Sequence, residues 1–122
     1  MSTLLLITSA PTSIHAWHAL GLAQALKAQN QEFRVFFYQD GVSTANNLQW
    51  VPDDQRNITT AWQQLSIRLP VCVSAALARG ITDQENALRH QISTSNLAQG
   101  FELIGLGELA DAVQSTARLV QF

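Results

Sequence analysis

The chain contains one cysteine and three histidines, and the cysteine holds the more informative place. Cys72 lies in Leu69-Pro70-Val71-Cys72-Val73-Ser74-Ala75-Ala76-Leu77, at the end of an apolar run and just before a helical pattern. A strand that hands over to a helix there sets its last residue among the unpaired N–H groups of the first turn. Those of Val73, Ser74 and Ala75 are placed to steady an anion. Such a field favours the thiolate, the nucleophilic form of cysteine. Without it, a pKa of about 8.5 leaves only a few per cent ionised at neutral pH. Against this stands the habit of free cysteine to be buried as a small hydrophobe. On the residue alone that plainer reading outweighs the nucleophilic one. No Cys-x-x-Cys is present, which excludes dithiol chemistry, and no Cys/His pairs suggest zinc.

His15 and His18 stand three apart at the start of a predicted helix. They share a face, and they reach Cys72 if the first and third strands are neighbours. Two histidines without a third ligand do not make a metal site. One packed and one solvated histidine is the simpler expectation. His90 lies in a polar stretch and is assigned nothing. Ser9-Ala10-Pro11-Thr12-Ser13 occupies the place of a phosphate loop but contains no glycine, and neither common nucleotide fingerprint occurs. Gly105-Leu106-Gly107 reads as a tight turn. Gly-x-Ser-x-Gly is absent, so a serine-hydrolase reading has no motif behind it. The expectation is therefore no cofactor and no metal.

The elements that must position these residues alternate. Thr3–Ser9, Glu32–Tyr38, Leu69–Val73, Phe101–Ile104 and Ala117–Phe122 read as strands, apolar or rich in β-branched and aromatic residues. Ile14–Gln29 reads as a helix capped by Ser13, with Ile14, His18, Gly21, Leu22 and Ala25 on its core face and Asn30 just past its end. After Asp40-Gly41, residues 41–56 read as loop with a helical turn near 42–47. Asn57–Arg68 reads as a second amphipathic helix, with Trp62 in the core. Ser74–Arg79 is a short helix stopped by Gly80. Thr82-Asp83-Gln84-Glu85 reads as a capping box for a helix over Asp83–His90. Ser93–Gln99 suggests a further helical turn, and Gly105–Thr116 a last helix. Trp50, in a polar loop, is either an interface anchor or folded onto its own domain. The pattern predicts a three-layer α/β/α fold around a mainly parallel sheet of about five strands. In such sheets function gathers at the carboxyl ends of the strands.

The 122 residues suit one domain over 1–122. A formal charge of −2 without a basic run gives no footprint for nucleic acid or an anionic membrane. No stretch approaches the roughly 18 apolar residues of a membrane span, and the start lacks the basic region of a signal peptide. The cytoplasm is the expected location. Only 13% of residues are charged, against about 25% in ordinary soluble domains. That hints at apolar surface covered by partner subunits.

Several segments together resemble the DsrE family, in its bacterial sulfur-relay branch. They are Phe36-Phe37-Tyr38-Gln39-Asp40-Gly41-Val42, Ala45-Asn46-Asn47-Leu48, Ala61-Trp62-Gln63-Gln64-Leu65, Val71-Cys72-Val73-Ser74-Ala75-Ala76-Leu77-Ala78-Arg79-Gly80, Ser95-Asn96-Leu97-Ala98-Gln99-Gly100-Phe101, Gly105-Leu106-Gly107-Glu108-Leu109-Ala110 and Val120-Gln121-Phe122. They cover nearly the whole chain in order. The resemblance implies a sulfurtransferase, with Cys72 as the catalytic persulfide carrier and no cofactor. It implies TusB- and TusC-like homologous subunits in a heterohexamer, a TusA-like sulfur donor and a TusE-like acceptor. The relay it implies ends in wobble 2-thiouridine of tRNA, without this chain touching nucleic acid. The alternatives are a non-catalytic scaffold of the same family, or a sulfur carrier in dissimilatory sulfur metabolism. A small-molecule-binding module on the same sheet is disfavoured by the missing glycine loop. Family members carry glycine after the first strand; here Ala10-Pro11-Thr12-Ser13 stands instead, and His15 or His18 is the expected substitute as proton donor or polar neighbour.

Overall fold

The computed structural model describes residues 2–122. Five strands form one sheet: β1 (Thr3–Ile7), β2 (Phe33–Phe37), β3 (Leu69–Cys72), β4 (Phe101–Ile104) and β5 (Arg118–Gln121). Their order is β4-β3-β2-β1-β5, and every neighbouring pair is parallel. Five α-helices connect them: α1 (Ile14–Ala28), α2 (Ile58–Gln63), α3 (Val73–Ala78), α4 (Gln84–Arg89) and α5 (Leu106–Ser115). A 3-10 segment over Gln39–Ala45 follows β2.

The central strands β1, β2 and β3 read as largely apolar runs because both their faces are covered, whereas the edge strand β5 is exposed at Arg118, Leu119 and Gln121. Residues aligned in parallel neighbours share a face, and successive residues alternate. Phe37 pairs with Val71 and stacks edge-on against Trp62 of α2 and Phe101, at 5.3 and 5.5 Å between centroids. Arg34, on the opposite face, donates to the Ser115 hydroxyl at the end of α5. The two helices thus lie on opposite sides, which gives the three layers expected from sequence. By the same alternation Cys72, aligned with Ile104, belongs to the α5 side.

Gly41 is fixed by a close approach. The Tyr38 N–H donates to the Ile7 carbonyl and the Gly41 N–H to the Tyr38 carbonyl, both at 2.9 Å. A Cβ on Gly41 would stand 2.0 Å from the Ile7 oxygen and 2.7 Å from its carbonyl carbon. The turn after β2 is therefore folded directly onto the end of β1.

Several elements differ from their sequence expectations. The buried residues of α1 are Ala16, Ala19, Leu20 and Ala23, not the predicted stripe. Ile14 is 66% exposed, and His18, Gly21 and Ala25 also face solvent. This helix is apolar around most of its circumference, so two stripes fit the 3.6-residue period. The small alanines win because they let the helix lie close to the sheet. Helix α2 stops at Gln64, well short of Arg68, because Ser66 turns left-handed at φ 54°. The cap of α4 is Asp83, which accepts from the Asn86 N–H; Thr82 instead turns its hydroxyl to the Asp83 carbonyl. Residues 93–99 form no helix. Asn96, which is buried, accepts from the Thr82 N–H and donates to Asn46 and to the Gly80 carbonyl. Leu97 then bridges Asn46 in the antiparallel sense. Pro70 is the second residue of β3, an interior strand. It has no N–H to give, and β3 registers with β2 at Phe37–Val71 alone.

Two substitutions test these constraints in urea denaturation. Gly41→Ala is expected to destabilise by at least about 3 kcal/mol, because the rigid Ile7 backbone cannot yield to a Cβ. Asn96→Ala is expected to cost about 2–4 kcal/mol, since it removes three hydrogen bonds that join Asn46, Gly80 and Thr82 and leaves the buried Thr82 N–H unpaired. Loss below about 0.5 kcal/mol in either variant contradicts the assigned role.

Candidate active site

Cys72 is at once the last residue of β3 and the N-cap of α3, with φ −60° and ψ 119°. The sequence therefore located the strand-to-helix junction to within a residue. The side chain, however, makes no capping hydrogen bond, so the N–H groups of Val73, Ser74 and Ala75 do not hold the resting thiol as expected. Cys72 is 1% exposed and packs in the core. The one hydrogen-bond partner of its sulfur among the described residues is the Ser74 hydroxyl, at 3.7 Å from Sγ, where either group can be the donor. Ser74 itself is exposed. One hydroxyl thus links a buried sulfur to the solvent side of α3.

The 3-10 segment is fastened to α3 beside this junction. Arg79, at the end of α3, donates through Nη2 and Nε to Asp40 Oδ1 at 3.0 and 3.3 Å, and through Nη1 to the Ala75 carbonyl at 3.0 Å. Asp40 and Gly41 read in sequence only as a strand breaker. The Asp40-x-x…Arg79 pairing has no local signal, since its partners are 39 residues apart.

The two histidines do not join the cysteine. Strand β2 lies between β1 and β3, so the premise that put them near Cys72 fails. Two strand spacings amount to about 10 Å before any side chain is counted. His15 and His18 are both exposed, and their rings meet each other edge-on at 6.2 Å. His90 is exposed as well. Among the described residues no group of three or more His, Cys, Asp or Glu side chains is placed to hold a metal ion.

At the other end of β3 the Arg68 guanidinium pairs with Glu102, and with Glu108 at 3.2 Å. Glu102 first, then Glu108, hold this guanidinium protonated beyond its ordinary range. The cluster ties β3 to β4 and α5 at the amino edge, away from the thiol. Trp62 is fully buried, as expected. Trp50 is 81% exposed, so its loop is not folded over it. No helix among the described residues is long and apolar enough to cross a membrane.

The model of the DsrE/DsrF-like family matches residues 1–122. The chain is 44% identical over 115 residues to "Sulfurtransferase TusD" of Erwinia tasmaniensis, covering 90% of each protein. It is 42% identical over 125 residues to "Sulfurtransferase TusD homolog" of Vibrio parahaemolyticus, covering 98% of this chain and 95% of that one. The crystal structure of the ychN protein from E. coli superposes with a TM-score of 0.77 at 26% identity, over the full length of both chains. The five-stranded parallel sheet is thus shared with a solved relative, and the match in sequence runs from end to end: this chain belongs to the DsrE/DsrF-like family.

Proposed function

We propose that this protein is a sulfurtransferase that carries a persulfide on Cys72. The observation that supports this most is the place of the chain's one cysteine, at the hand-over from an interior strand to a helix on the carboxyl edge of a parallel sheet. Active residues gather at that edge in open α/β folds. Relatives named sulfurtransferase at 42–44% identity add to the reading.

The transfer follows the logic of thiol–disulfide exchange. Cys72 releases its proton to solvent, and the thiolate attacks the terminal sulfur of a donor cysteine persulfide. A bond forms between Cys72 Sγ and that sulfur, the donor S–S bond breaks, and the donor cysteine leaves as a thiolate. An acceptor thiolate then attacks the terminal sulfur on Cys72 and releases Cys72 as a thiolate in turn. Each step exchanges one S–S bond for another, so no external oxidant, metal or organic cofactor enters the balance. Ser74 is the group at hand to donate a hydrogen bond to the anionic sulfur.

In this reading the donor is TusA-like and the acceptor TusE-like. The chain works in the cytoplasm with TusB- and TusC-like subunits, and the sulfur ends in tRNA wobble 2-thiouridine. The formal charge of −2 without a basic run favours protein partners over nucleic acid. A second reading is favoured by one observation: a cysteine only 1% exposed suits a packed residue in a non-catalytic scaffold of the same family.

Intact mass separates the two. After incubation of the assembled complex with a persulfide donor, the chain is expected to gain one sulfur, about 32 Da, and to lose it on reaction with an acceptor thiol. Cys72→Ser is expected to gain nothing. His15→Ala and His18→Ala are expected to load at the unaltered rate, because both rings face solvent far from the sulfur. No gain in the unsubstituted chain supports the scaffold and overturns the carrier.

A further inference from the structure

The loop between the 3-10 segment and α2 forms, with the start of α1, an open cleft of about 260 Å³. Pro11, Trp17, Trp50, Val51, Arg56 and Ile58 supply its apolar walls and its one charge. The Arg56 guanidinium lies 4.9 Å above the centre of the Trp17 ring. Its state is unlike that of the other basic side chains. Lys27, Arg34, Arg68, Arg79, Arg89 and Arg118 each donate to an oxygen of the protein. Arg56 donates to none among the described residues, although Asp53 and Asp54 share its loop and are exposed. Neither aspartate lines the cleft.

A guanidinium held over an indole by cation–π attraction still has its N–H groups to donate. Those groups match a carboxylate in two parallel hydrogen bonds. Trp50, 81% exposed, stands at the same cleft, and Leu48 in the same loop is 70% exposed. Exposed tryptophan beside arginine is the composition of an interface anchor. The cleft is open and smaller than the roughly 300–1,000 Å³ that encloses a whole small-molecule ligand. It suits a short piece of another chain.

We infer that this cleft is a docking site for a partner protein, and that it takes a segment with an acidic side chain next to an apolar or aromatic one. The carboxylate pairs with Arg56, and the apolar neighbour packs on Trp50 and Val51. The inference does not use Cys72, so it stands or falls separately from the sulfur-carrier reading.

The test uses the full chain with ¹⁵N-labelled indoles and guanidinium, titrated with the dipeptide acetyl-Glu-Phe-amide and, in parallel, acetyl-Gln-Phe-amide. The Glu peptide is expected to move the Trp17, Trp50 and Arg56 signals at millimolar concentration. The Gln peptide is expected to bind about tenfold more weakly, for loss of a charge-assisted pair. Arg56→Gln is expected to erase that difference, and Trp50→Ala to weaken both peptides; both side chains are exposed, so the fold is retained. Equal binding of the two peptides, an unchanged ratio in Arg56→Gln, or no shift by about 10 mM overturns the inference. So does 3-phenylpropionate binding as well as the Glu peptide, which assigns the cleft to a free organic anion.

Discussion

A parallel strand ends at the edge of its sheet, and the next helix must start there. In this protein the interior strand β3 makes that hand-over at Cys72 without leaving the core. Much else follows from keeping this junction closed. The turn after β2 folds onto the end of β1 so tightly that only glycine fits at position 41. That brings the 3-10 segment beside α3, where Asp40 meets Arg79. The pair is largely solvent-accessible, and such surface pairs contribute no more than about 1 kcal/mol. The 3-10 segment is therefore held to α3 mainly by packing, in which Ala45 and Ala76 are both fully buried, with only a weak electrostatic fastening.

If Cys72 carries sulfur as proposed, its buried thiol must come within reach of a donor. Exchange needs a thiolate and access to it. Helix α3 has six residues, too few to be stable without its packing. Short elements with few buried apolar side chains open at a lower free energy than the core strands. Ser74, exposed on the first turn with its hydroxyl 3.7 Å from Sγ, is the residue that joins the sulfur to the solvent side of this helix.

Much of the fold was legible because the central strands are largely apolar and the breakers are unambiguous. Ser13, Asn57 and Gly80 ended or started helices where their side-chain chemistry, or lack of one, requires it. The junction at Cys72 was readable for the same reason. What failed were features decided by tertiary contact. Helix α1 offered two stripes, and only the sheet chose the alanines. Residues 93–99 carry helix-compatible residues, but Asn96 is used to join Thr82, Gly80 and Asn46 instead. The histidines were placed near the cysteine on a strand order that local pattern cannot supply. The family resemblance, by contrast, pointed to sulfur transfer, which the residue pattern alone did not, and relatives named sulfurtransferase agree with it. The low charge content also has a structural counterpart: Ile14, Leu48, Trp50 and Leu88 are all well exposed on this single chain.

The central claim is that Cys72 is a working thiol reached by local opening, and its alkylation by iodoacetamide across low urea concentrations tests this most directly. Local opening exposes little surface, so the rate should stay nearly flat in urea while the global stability falls by about 1–3 kcal/mol per molar. A rate that climbs with the full urea dependence of unfolding would mean that the sulfur is reached only when the core comes apart, and would contradict the account.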